Sequence, residues 1–394
     1  MITKNLFLAK SFADQCIVSV SNFLIIIFSA NVLIPQQHGL LSLIIVSLIA
    51  IQSITIPLIS WGSFLYLKQE NNPIIYQKIL AALSLIIAVI FSIIFTCVAI
   101  YSDFFINIEV EVLIIASMFI FFQLLTDHVR LEFYTFKIGG MPIWNTSLVY
   151  ISRLVGLYFV SDLQELLLVL LLSNVFSFPK FLNLFSFNIF KNNDFINRAL
   201  KHIALSKNMT LSSILNWSWN YLPIFYIGIY HDVALSGILL SLKSLANIHY
   251  PLSNLLDTFV PSLLYNRQVI DKDRFLSKVL YTSLGIWGSV FVVLFFYSTQ
   301  ILVFIFGDLY QQFNYILIIL WLSSGVILFA KNKIILARWN GRLSLETIAS
   351  SSSLVVVVII GLPLVKYFAL QGTVLLYLIA TIVYLLAILL KIKS

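Results

Sequence analysis

The chain has 394 residues, of which 60% are hydrophobic and only 10% charged, against the roughly 25% of charged residues in a soluble domain. That composition excludes a soluble enzyme or binding module, and the formal net charge of +8 points to membrane orientation and away from nucleic acid, because the positive residues fall in short links between apolar runs. Runs such as Ala81 to Ile94 and Leu354 to Ile360 are apolar on every face, so the spans are helices and not the alternating strands of a barrel.

About 20 apolar residues cross a bilayer. In chain order the predicted helices are Phe12 to Ile34, Leu40 to Leu65, Ile79 to Tyr101, Val112 to Thr126, Met141 to Val160 and Leu163 to Phe181. After a polar stretch come Met209 to Tyr230, Val233 to Tyr265, Val279 to Phe306, Phe313 to Ile335, Ile348 to Val365 and Tyr367 to Leu390. Lys4 and Lys10 precede a first run too long for a signal-peptide core, so that run is expected to stay as a helix.

With both termini in the cytoplasm, 21 of the 24 Lys and Arg residues lie on the inner side and Lys366 alone lies outside, the bias expected of a multi-pass protein. The fold class this predicts is all-α integral membrane, with about twelve transmembrane helices. Residues 1–183 and 208–394 would form two six-helix bundles joined by a cytoplasmic linker at 184–207, and equal orientation of the halves implies a parallel pseudo-two-fold repeat.

Arg153 and Lys243 are the two basic residues left inside helices, each roughly 15 to 17 Å from a helix start at 1.5 Å per residue. An ionisable group at that depth is costly and marks a functional candidate, or else an ion pair with an acid such as Asp14 or Asp257. Lys243, Asn247, Tyr250, Asn254 and Asp257 recur on one helical face, which should line water or a ligand. The preceding helix carries Asn216, Trp219 and Asn220, an aromatic and amide cluster suited to sugars, or alternatively to helix packing. Asp14 and Asp257 are candidates for ion coupling, Asp14 having a plainer reading as an interfacial residue. His249 is the sole histidine deep in a predicted span. No catalytic constellation, no cysteine or histidine cluster for a metal and no phosphate-binding GxxxxGK[ST] loop is visible, so neither catalysis nor a cofactor is expected.

Several local patterns carry a family resemblance. Leu33-Ile34-Pro35-Gln36-Gln37-His38-Gly39-Leu40 opens the second helix, Phe304-Ile305-Phe306-Gly307-Asp308-Leu309-Tyr310 links the ninth and tenth, Pro261-Ser262-Leu263-Leu264 closes the eighth, and Gly372 lies near the start of the twelfth. In that order they resemble the polysaccharide (O-antigen, Wzx-type) flippases, a branch of the superfamily that also holds the multidrug and toxin extruders (MATE proteins) and the lipid II flippases. The resemblance implies a MATE-like fold in the bacterial inner membrane. It further implies outward movement of an undecaprenyl-pyrophosphate-linked oligosaccharide, with membrane lipids, a polysaccharide polymerase and a chain-length regulator as partners. Two other readings stand beside it: a cation-coupled exporter of small molecules, and a membrane enzyme or scaffold of glycan assembly.

Overall fold

The computed structural model describes residues 2–61, 73–102, 108–136, 141–191, 194–248, 272–339 and 344–393, and among these there is no strand. The helices are α1 (Ile2–Val32), α2 (Pro35–Ile56), α3 (Pro73–Tyr101), α4 (Val110–Phe136), α5 (Met141–Gly156), α6 (Leu163–Val175), α7 (Phe178–Leu184), α8 (Phe195–Tyr230), α9 (Val233–Ala246), α10 (Lys272–Phe306), α11 (Asn314–Trp339) and α12 (Ser344–Lys393). A π-helical turn follows α2 at Pro57–Trp61, and 3-10 turns lie at Leu157–Phe159, Phe187–Lys191 and Asp308–Phe313. Among the described residues seven helical stretches are long and apolar enough to cross a membrane, or eight when α6 and the bent continuation beyond it count as one span. Phe304 at 91% exposure and Val98 at 62% face outward from such helices, as only a hydrocarbon solvent makes favourable. The protein is an all-helical, multi-pass membrane protein.

Four predicted boundaries move. The fourth helix, expected to stop at Thr126, runs on to Phe136, because the polar residues that ended its apolar run are buried and bonded inside the fold. The eighth, expected to reach Tyr265, ends at Ala246 with Asn247 out of helical geometry. The rest of that predicted span, residues 249–265, lies outside the described residues. The sixth bends by 41° after Val175, where Pro179 opens α7. The stretch expected as a polar linker is itself helical, in α7, a 3-10 turn and the first turns of α8.

By its contacts the chain divides into two units, Met1–Ile25 with Leu43–Ile214 and Ile26–Ser42 with Leu215–Ser394. In the first, α4 packs on α3 and α6, and the start of α8 is bolted down by His202. Its Nδ1 lies 2.6 Å from the Tyr76 hydroxyl and its Nε2 lies 2.6 Å from the Leu58 carbonyl. In the second, the turn into α2 is seated on α9. A Cβ on Gly39 would overlap the Val233 carbonyl, and one on Gly237 would strike His38 and the Gly39 backbone. His38 bonds Ser241 at 2.8 Å and Ser29 at 3.0 Å. The long α12 doubles back on itself at Ala369, whose φ of 48° and ψ of −127° leave the helical region. Ser353 Oγ then donates to the Ala380 carbonyl at 2.8 Å, and Gly372 lies against the Leu364 carbonyl. The two predicted last helices are therefore the arms of one antiparallel hairpin.

Candidate functional site

The first unit holds a chain of buried polar groups. Gln52 and Gln123 donate to the two carboxylate oxygens of Asp127 at 2.7 and 3.0 Å. Arg153 donates to Gln123 Oε1 at 2.5 Å, to Asn174 Oδ1 at 2.6 Å and to Ser173 Oγ at 3.0 Å, with its guanidinium 4.5 Å from the Tyr150 ring centre. Asp14, fully buried, takes a hydrogen bond from Arg130 Nε at 2.7 Å. On α4, Gln123, Asp127 and Arg130 follow one helical face, so a single stripe organises partners from α1, α2, α5 and α6. Beside it, His128 and Glu132 form a buried pair 3.5 Å apart. Five helices are tied together through polar contacts that lipid makes expensive to leave unmade.

The second unit has a cavity of about 60 Å³ lined by Asn216, Asn220, Lys243, Asn247, Tyr377 and Lys331 among others, room for a few water molecules. Its shape starts from Pro223 inside α8, which lacks an N–H and crowds the preceding turn. The Asn220 carbonyl in that turn accepts from the Lys243 ammonium and, at 2.5 Å, from the Tyr377 hydroxyl. Lys243 Nζ also lies 3.1 Å from Tyr377 Oη, and 4.1 and 4.2 Å from the ring centres of Tyr221 and Tyr377. The two π-faces offset part of the hydration the ammonium has lost. Among the described residues no carboxylate lies within ion-pair distance of Lys243. The arrangement presents two lysines (Lys243, Lys331), one carboxylate (Glu346), amides and hydroxyls (Ser323, Ser324, Thr381) to a small volume.

Four of the sequence-predicted residues, Asn216, Asn220, Lys243 and Asn247, thus meet around one cavity. Trp219 does not: it is 1% exposed and packs on Tyr384, with ring centres 5.3 Å apart, so its indole supports the cavity wall and offers no face to a ligand. Arg153 sits in the polar chain of the first unit with amide and hydroxyl partners, and neither it nor Lys243 pairs with Asp14. Asp14 is buried within the protein as the partner of Arg130. Tyr250, Asn254, Asp257 and His249 lie outside the described residues. Buried histidines lie at His38, His128 and His202, all three outside the positions the sequence favoured. Tyr377, 134 residues from Lys243, carries no signal beyond being a tyrosine in an apolar run, whereas the Gln123, Asp127, Arg130 stripe was readable from its spacing.

No family model matches the chain, and no curated protein matches its sequence significantly. Solved structures do. A multidrug resistance MATE family transporter in an inward-facing conformation superposes with a TM-score of 0.70 at 12% identity, over 96% of this chain and 94% of that one. A MATE transporter of Vibrio cholerae gives 0.67 at 13% identity over 100% and 97%. The lipid II flippase MurJ, inward closed, gives 0.64 at 17% identity over 99% and 87%. Along nearly its whole length, the chain has the fold that these MATE transporters and this flippase share.

Proposed function

We propose that the protein is a transporter and not an enzyme, and that it flips an undecaprenyl-pyrophosphate-linked oligosaccharide repeat unit outward across the bacterial inner membrane for surface polysaccharide assembly. The observation that carries this reading is Lys243, buried on a polar cavity with no carboxylate within ion-pair distance among the described residues, although Glu346 also lines that cavity. An anionic headgroup supplies the missing charge, and Lys acts toward phosphate as a compact point charge with rotatable donors. Asn216, Asn220 and Asn247 offer amides to sugar hydroxyls. Arg153, whose donors are engaged by its neighbours, is assigned to holding the first unit together. The fold shared with a lipid II flippase supports movement of a lipid-linked glycan, and the motifs around Gly39 and Gly307 support the polysaccharide branch. A cation-coupled exporter would instead be expected to place an unpaired carboxylate where Lys243 stands.

The test is a deletion strain. Completed lipid-linked repeat units should accumulate in the inner leaflet while surface polymer is lost, and wild-type protein should restore export where Lys243→Gln restores it poorly. A strain that lacks the repeat unit itself would overturn the transporter reading in favour of an enzyme.

A further inference from the structure

The segment joining α6 to the membrane-crossing part of α8 has two different outer faces. Ile189 and Ala199 are buried against Ile79 and Ala82 of α3, and His202 and Ser206 bond to the π-turn carbonyl of Leu58. These contacts fix one side of the segment to the first unit. At 100° per residue, Ile196 and Leu200 share a second stripe of α8, separate from the Ala199, His202, Ser206 stripe, and they are 66% and 59% exposed. Phe187 and Phe190 are exposed beside them, linked through ring contacts with Phe185 and Phe195. A third face of α8 carries Asn197, Lys201 and Asn208. Lys180, Lys191, Arg198, Lys201 and Lys207 are set against Asp194 as the only acid, and Asp194 pairs with Arg198.

An exposed aromatic and aliphatic stripe flanked by cations, on a segment bent by 41° away from α6 and too polar to span over residues 194–207, is the composition of a helix that lies in a headgroup layer. We propose that residues 178–191 and 194–207 form an interfacial foot: Phe187, Phe190, Ile196 and Leu200 enter the boundary between headgroups and acyl chains, and Lys180, Lys191, Lys201 and Lys207 bind the headgroups of anionic phospholipids. The charge balance selects the occupant. A neutral leaflet satisfies the apolar stripe alone, whereas an anionic leaflet satisfies both faces at once. The proposal does not depend on what the protein carries.

Site-directed spin labels test it in full-length protein with Cys16 and Cys97 replaced by Ser, reconstituted in nanodiscs. Labels at Phe187→Cys, Phe190→Cys and Leu200→Cys should be relaxed more by oxygen, which partitions into lipid, than by a water-soluble nickel complex. The label at Asn197→Cys should show the reverse. In mixed phosphatidylglycerol and phosphatidylcholine nanodiscs, wild-type protein should retain phosphatidylglycerol preferentially through delipidation, and changing the four lysines to Gln should abolish the enrichment. The proposal is overturned if the labels at Phe187 and Leu200 favour nickel as Asn197 does. Equal retention of the two lipids by wild-type protein, or unchanged enrichment in the four-lysine variant, overturns the anionic-lipid assignment, and shielding of the labels by a soluble protein would assign the face to that partner.

Discussion

Lys243 and Tyr377 converge on one carbonyl oxygen, that of Asn220. Tyr377→Phe removes the hydroxyl that both donates to that oxygen and faces the ammonium. It should lower stability by about 1 to 2 kcal/mol, read as a fall in Tm, and depress transport while the protein still inserts. Normal transport by both Tyr377→Phe and Lys243→Gln would remove this cavity from the pathway. His202 answers to pH. Its Nε2 faces a carbonyl and must carry the proton, so Nδ1 accepts from Tyr76. Burial holds the imidazole below its ordinary value, partly countered by the Leu58 carbonyl. A base depressed in the folded state is neutral there while the unfolded chain takes up a proton near pH 6.5. Its contribution is therefore complete above that pH and is lost as pH falls below it. Tm should be level from pH 8 to 7 and decline below about 6.5, and His202→Gln should flatten the decline. The buried His128 and Glu132 pair makes a third case. Removing either partner should cost about 1 to 3 kcal/mol, whereas the double change to Leu should recover most of it, since replacing two buried polar partners together by apolar groups of similar size is nearly neutral.

At the scale of elements, close backbone approach and a backbone reversal hold the second unit. Gly39→Ala places a methyl on the Val233 carbonyl and should reduce the yield of folded protein sharply, with Gly237→Ala behaving alike because its Cβ meets the same turn. Ala369→Gly should do the opposite, raising stability by about 1 kcal/mol by relieving a positive φ that a Cβ resists. Apolar length made α1, α2, α3, α10 and α11 legible from sequence, since lipid imposes that length on each. It failed at α4 because apolar length stops counting at Asp127 and Arg130, whose one-face spacing continues the helix and whose charges are met by Gln52, Gln123 and Asp14. It failed at α9, where Asn247 leaves helical geometry in a run that carries no charged residue between Lys243 and Asp257. The cavity was half legible. Asn216, Asn220, Lys243 and Asn247 follow from depth and helical spacing, whereas Tyr377 comes from the hairpin arm and depends on tertiary folding alone.

For the whole molecule, the distribution of Lys and Arg gives a topology that the fold accommodates but leaves to experiment. In a background with Cys16 and Cys97 replaced, cysteines at Glu109 and Asp308 should react with an impermeant thiol reagent on intact cells, and one at Asn192 should react only after permeabilisation; outside labelling of Asn192 would overturn both ends being cytoplasmic. The seat of the α2 turn on α9 carries a consequence in time. His38 and Gly237 are 199 residues apart, so at roughly 5 to 20 residues per second of synthesis the early segment waits about 10 to 40 seconds in the membrane before its partner is made. During that interval Gly39 and the His38 Nε2 lack the partners that α9 later supplies, and the nascent chain depends on lipid or on an insertion factor to shield them. Synthesis that stalls before α9 leaves a fragment with all the residues of the first unit and an unseated piece of the second, a natural substrate for membrane quality-control proteases.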